Sequence, residues 1–240
     1  MVDSDFQQLL DKLDELGISD NTIVIFAADN GRDTSFHAPG NQNAPGNFKG
    51  GYFSSGEGNN RTVCIASWPG NIEPGASDGM MHVTDWFPTL MNLVDNEEGV
   101  PTDRVLDGID QSEFIRGNQE DSNREYFHMF FDKVHVGLRW RNFKVPTHLV
   151  ENGAAPIQKL ATPHIYNLTV NPDENQPFNY PTVHSWMLYD IYGPLTHELM
   201  ASLEEDSIPS GSPADYDPTK QDEPSDHPLL EKLGEIFLAR

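Results

Sequence analysis

The chain has 240 residues, 37% hydrophobic and 10% aromatic, enough for one sizeable core and too apolar for a disordered polymer. Its 38 acidic against 15 basic residues leave a formal charge of −23, which excludes a nucleic-acid or anionic-membrane partner and reads as a solvated acidic surface. A single cysteine, Cys64, excludes an internal disulfide framework and a thiolate metal cluster; within Val63-Cys64-Ile65-Ala66 it reads as a buried, inert thiol.

No run of about 18 apolar residues is present, so nothing reads as a membrane span. The first turns carry Asp3, Asp5, Asp11, Asp14 and Glu15, which does not fit a signal peptide. Residues 4–16 place Phe6, Leu9, Leu10, Leu13 and Leu16 on one helical face. Ser4 and Gln7 form a capping box there, and Gly17 is the stop. Thr22–Ala28 follows as an apolar run without alternation, the pattern of a strand covered on both faces. Helix, short link and buried strand make half of an α/β unit.

Residues 29–62 are rich in Gly, Asn and Ser, and a loop this long in a compact domain is expected to carry function. A second short buried strand is predicted at Val63–Ser67, closed by Trp68-Pro69-Gly70. Thr84 then caps a helix running to about Val94, with Phe87, Leu90, Met91 and Val94 inward. From residue 124 the texture becomes that of short strands: Tyr126–Phe131, Val136–Trp140 and Phe143–His148, the last pair turning at Arg141-Asn142, with Met187–Tyr189 as a further edge. The predicted organisation is an α/β portion over residues 1–123, a small antiparallel subdomain over 124–203, and an acidic, proline-rich linker with a terminal helix over 204–240. That helix, Pro228–Ala239, buries Leu229, Leu230, Leu233, Ile236 and Phe237.

The most informative triplet is Asp29-Asn30-Gly31, directly after the first strand. Ligands of open α/β sheets collect beyond the carboxyl ends of strands. Asp and Asn are hard oxygen donors suited to Ca²⁺ or Mg²⁺, and glycine lets the chain turn away without steric cost. The same triplet is also a common turn. Read as a site, it is expected at the C-terminal end of a central parallel strand, with both side chains facing one accessible cleft.

The string Asn21-Thr22-Ile23-Val24-Ile25-Phe26-Ala27-Ala28-Asp29-Asn30-Gly31 resembles the segment by which sulfatases deliver two metal ligands. Further matches follow in family order. Phe48-Lys49-Gly50-Gly51-Tyr52 with Glu57-Gly58 and Arg61 is similar to the family's glycine-rich loop, and Trp68-Pro69-Gly70 to its next turn. His82-Val83-Thr84-Asp85-Trp86-Phe87-Pro88-Thr89-Leu90 looks like the following helix start. Asp107-Gly108-Ile109-Asp110, Ser122-Asn123-Arg124-Glu125, Arg139–Lys144, Ile165–Leu168 and Asn171–Glu174 stay in register. The ordered set covers roughly residues 2–190.

The resemblance implies the C-terminal portion of an alkaline-phosphatase-like α/β sulfatase with a small antiparallel C-terminal sheet and helix. Its implied reaction is hydrolysis of a sulfate ester on a small molecule or glycan, of the arylsulfatase type. The implied metal ligands are Asp29 and Asn30, holding Ca²⁺ or Mg²⁺ in a site only partly present. Lys49, Arg61 and His37 are the candidate anion contacts; Lys49 and His37 read equally as exposed surface residues, and Arg61 as a structural residue holding Glu57. Tyr52 stands where many members carry a sulfate-contacting lysine, and Thr62-Val63-Cys64 replaces the family's usual Val-Pro. His82 is expected to pack or to cap its helix. No formylglycine motif of the form Cys/Ser-x-Pro-x-Arg occurs; Ser207-Ile208-Pro209-Ser210-Gly211 has the Ser-x-Pro spacing and lacks the arginine. No catalytic nucleophile is therefore assigned, and a partner N-terminal half is expected to supply it. Members are often exported, though no signal peptide is read on this chain. The alternatives are a non-catalytic fragment or half of a split protein, and a phosphodiester or phosphonate hydrolase of the same superfamily.

Overall fold

The computed structural model describes residues 2–33, 48–178 and 180–205. The chain divides into two compact units, Met1–His197 and Glu198–Arg240. Of the second unit the described part, residues 198–205, is helical. The expected linker and terminal helix fall almost wholly outside the described residues, as does His37.

Helix α1 (Val2–Leu16) starts before the predicted capping box, so Ser4 lies inside it. It ends as expected: Gly17 has φ +66°, its N–H donates to Asp14 O, and Ile18 N–H donates to Leu13 O. That pair of bonds is a Schellman motif, which needs the left-handed residue glycine supplies. Phe6 then packs edge-on against Phe26, with ring centroids 5.3 Å apart, laying α1 on strand β1 (Val24–Ala27).

β1 corrects two expectations. Among the described residues its pairing partner is β2 (Cys64–Ser67), and the pairing is antiparallel, Ala27 opposite Cys64 and Val24 opposite Ser67. A parallel neighbour needs a crossover that returns the chain to the strand's starting end. Here the connection turns back through helix α2 (Glu57–Asn60) and re-enters beside Ala27. Nor are the strands covered on both faces: β1 is partly buried, and Ile65 of β2 is 58% exposed. Cys64 is likewise exposed rather than buried, although partial desolvation still pushes its thiol pKa up.

After the turn at Gly70, a 3₁₀ turn (Val83–Asp85) leads into helix α3 (Trp86–Leu93). His82, not Thr84, is the capping residue: its ring accepts from Thr84 N–H while its own N–H donates 2.8 Å to Asp85 Oδ2. The inward face is also rotated from the predicted one. Pro88, Thr89 and Leu93 are buried, whereas Phe87 and Val94 are exposed. Polar anchors set this phase. Thr89 Oγ1 accepts from Gln111 N–H just before α4 (Ser112–Arg116), and Asp85, fully buried, accepts from Ile109 N–H and two guanidinium nitrogens of Arg124.

The core lies under a four-stranded antiparallel sheet in the order β3 (Tyr126–Phe131), β4 (Val134–Trp140), β5 (Phe143–Pro146), β8 (Tyr166–Asn167). Two-residue turns join β3 to β4 and β4 to β5, with Asp132 and Arg141 at positive φ. A separate short ribbon pairs β6 (His148–Leu149) with β7 (Gln158–Lys159). Val145, Ile165 and Met187 are completely buried and carry Trp140, Phe143 and Phe178 around them. Burial of each such aliphatic side chain contributes about 1.5–3 kcal/mol. Met187 reaches this core from helical backbone, not from the expected strand: α5 (Pro181–Trp186) continues as a π-helical turn, Met187–Tyr192, and then as α6 (Gly193–Glu205). No helix among the described residues is long and apolar enough to cross a membrane.

Candidate metal and anion site

Beyond β1 the ladder continues for one bond, Ala28 N–H to Val63 O, and then Asp29-Asn30-Gly31 peels away. Asp29 is exposed and its Oδ1 accepts the Asn30 N–H at 3.0 Å. The Asn30 amide nitrogen donates 2.7 Å to Gly31 O, which orients the amide within its own loop. Gly31 N–H donates to Asn59 O at 2.8 Å, tying the triplet to α2. The approach is so close that a Cβ on Gly31 would lie 1.8 Å from Gly58 O, which explains the glycine without invoking positive φ.

Asp29 and Asn30 line one cleft of about 630 Å³ together with Arg32, Phe48 and Arg61. Arg61 follows α2; its Nε donates 2.9 Å to Glu57 Oε1 and its guanidinium lies 4.1 Å over the Phe48 ring. Arg32, not singled out from sequence, donates to Phe48 O at 3.2 Å. Lys49 is outside this lining: its ammonium lies 3.4 Å from Glu174 O. Tyr52, standing in the lysine's place, packs its ring 4.0 Å from that of Phe53.

The donor set tests the expected metal. One carboxylate and one amide oxygen are hard ligands that suit a divalent cation of the Ca²⁺ or Mg²⁺ kind. Among the described residues no group of three or more His, Cys, Asp or Glu is arranged for a metal. The two residues therefore fit as a partial ligand set.

Behind the cleft stands a buried charge network, of which the sequence offered only the contact of Arg61 with Glu57. Glu57, 2% exposed, receives Arg61 and Arg139 on the same oxygen, Oε1. Its N–H donates 2.7 Å to Glu174 Oε1, which also accepts from the fully buried Lys144 at 3.0 Å. Burial pulls the pKa of Lys144 down against the opposing pull of Glu174 and Glu57, and that of Arg139 down likewise. The available signal was the two-residue turn at Arg141-Asn142, which sets Arg139 directly opposite Lys144.

Residues 1–96 match the family model for sulfatases. Over 139 residues the chain is 32% identical to steryl-sulfatase of Mus musculus, covering 56% of this chain and 22% of that protein. Over residues 1–96 the chain is therefore similar to the sulfatase family. Human arylsulfatase A is 29% identical over 184 residues, 70% of this chain and 35% of the relative. The PsFucS1 sulfatase of Pseudoalteromonas sp. superposes with a TM-score of 0.70 at 25% identity, covering 84% of this chain and 41% of that one. The chain thus spans well under half the length of these relatives, and its fold is that of an alkaline-phosphatase-like sulfatase. Use of a divalent metal is general in the family.

Proposed function

We propose that this chain supplies the metal-holding and anion-facing side of a sulfate-ester hydrolysis site, with Asp29 and Asn30 as ligands of Ca²⁺ or Mg²⁺ and Arg61 as the anion contact. The observation that carries the reading is that these three side chains line one cleft at the end of β1. A bound cation would stabilise negative charge on the sulfate oxygens. Arg61, braced by Glu57, would hold the anion beside it, while Phe48 and Val63 offer apolar wall to the rest of the substrate. The substrate class is a sulfated small molecule or glycan. No Cys/Ser-x-Pro-x-Arg sequence occurs in the 240 residues, so the proposal concerns this side of the reaction and assigns no nucleophile.

Calorimetric titration of the chain with Ca²⁺ and with Mg²⁺ tests it. Two side-chain ligands leave most of a six- to eight-oxygen shell to water, so the dissociation constant is expected at about 10⁻⁴–10⁻³ M, and Asp29→Ala should abolish binding. Binding that survives Asp29→Ala, or submicromolar binding lost with it, overturns this assignment of the ligands.

A further inference from the structure

Arg139 and Lys144 face each other across the β4–β5 ladder and are both buried. Like charges directly opposite on a sheet are destabilising, and a buried cation persists only if paired. Glu57 and Glu174 supply that pairing, arriving from 82 residues before Arg139 and 30 residues after Lys144. The two carboxylates are themselves linked by the Glu57 N–H, which donates to the Glu174 oxygen that Lys144 holds. Glu57 in turn fixes Nε of Arg61. The network therefore sets three cations against two carboxylates. Its most accessible member is Arg61, whose side chain is 43% exposed and lines the cleft. One positive charge in excess thus surfaces where an anion would sit.

We propose that Lys144, Glu174 and Glu57 form a buried relay that sets the position of Arg61, making Glu174 a positioning residue for anion binding in the cleft. This rests on reading the cleft as an anion site. Backbone bonds place the same loop against the sheet region: Lys49 N–H donates to Pro172 O, and Ser55 N–H to Val150 O. With Glu174 neutralised, the Glu57 N–H loses its charged acceptor, Glu57 can turn, and the Nε of Arg61 is released. Glu57 is poised to turn because its Oε1 carries both arginines while its Oε2, also buried, has no hydrogen-bond partner among the described residues.

The test uses the full chain with guanidino-¹⁵N arginine, reading solvent exchange at Arg61 Nε–H, with Arg124 Nε–H on buried Asp85 as an internal control. Glu174→Gln should speed exchange at Arg61 by about tenfold or more and leave Arg124 unchanged. Inorganic sulfate, the probe for the cleft, should bind the variant about tenfold more weakly than the wild type, and equally weakly in Arg61→Ala with or without Glu174→Gln. If Glu174→Gln also loosens Arg124, the volume-matched pair Lys144→Met with Glu174→Met restores an apolar, folded background, and Arg61 should still exchange faster there. Unaltered Arg61 exchange in a folded variant overturns the relay. Rapid Arg61 exchange in Glu174→Gln, with no sulfate binding by the wild type, upholds the relay and overturns the cleft's anion reading instead.

Discussion

Truncating Asp85 should be among the most damaging single changes available to this chain. Its carboxylate is fully buried and accepts from Arg124 Nε at 2.7 Å, from Arg124 Nη2, from Ile109 N–H at 2.8 Å and from His82 N–H at 2.8 Å. Asp85→Ala strands a guanidinium that is 7% exposed and leaves two backbone donors without their partner. Breaking a buried pair costs about 3–5 kcal/mol, and each unsatisfied N–H adds about 1 kcal/mol or more unless water enters. Arg124 keeps its bonds to Tyr126 O and Asp107 O, which argues for the low end of the pair cost, about 3 kcal/mol; with water relieving part of the loss at the two N–H groups, the total is about 4 kcal/mol. Against a total of about 5–15 kcal/mol, that removes much of the stability and lowers Tm by roughly 8–16 °C. Urea unfolding, followed by tryptophan fluorescence and by circular dichroism, measures it. The double variant Asp85→Leu with Arg124→Met should recover at least half of the loss, because it removes the stranded charge. A loss below about 1 kcal/mol in Asp85→Ala, or no recovery in the double variant, would refute the reasoning that this pair locks α3 to the segment before β3.

Two further outcomes follow from particular contacts. Gly31→Ala should abolish Asp29-dependent cation binding in calorimetry even where circular dichroism shows a folded chain, since its Cβ would meet Gly58 O at 1.8 Å and must push the Asp29–Asn30 turn off α2; retained affinity would show that the turn tolerates displacement. Stability should also fall on acidification. His128 is pushed down to about 4 by burial and by the neighbouring His135, 3.1 Å from it, and burial lowers His135 as well. The unfolded imidazoles take up protons near pH 6.5 and the folded ones resist, so stability is full above about 6.5 and drops progressively towards pH 4, by about 2–3 kcal/mol for His128 after allowance for solvent screening. In His128→Gln the slope of Tm against pH over that window should flatten, and an unchanged slope would assign the acid sensitivity elsewhere.

Much of the molecule is governed by residues close together in the chain, and those parts are legible in the sequence. Gly17 ends α1 because its own N–H and that of Ile18 return to carbonyls of the last turn. The strands of the C-terminal sheet follow β-branched and aromatic runs, and the two-residue turns at Asp132 and Arg141 fix their register. The Asp29-Asn30-Gly31 triplet follows its strand closely and lines a cleft with Arg61. What tertiary structure alone decided is whatever depends on distant partners. Whether β1 pairs parallel or antiparallel turns on where residues beyond the loop re-enter, not on Val24–Ala27 themselves. The face that α3 buries is chosen by Arg124 and Gln111, which outweigh the apolar pattern of Phe87 and Val94. Lys144 reads as an ordinary strand lysine until Glu174 lies 3.0 Å away and Glu57 lies next to that. A charge can be buried only where its counter-charge is assembled in space. The carboxylates that make this possible stand 117 residues apart in the chain, a separation no local pattern records.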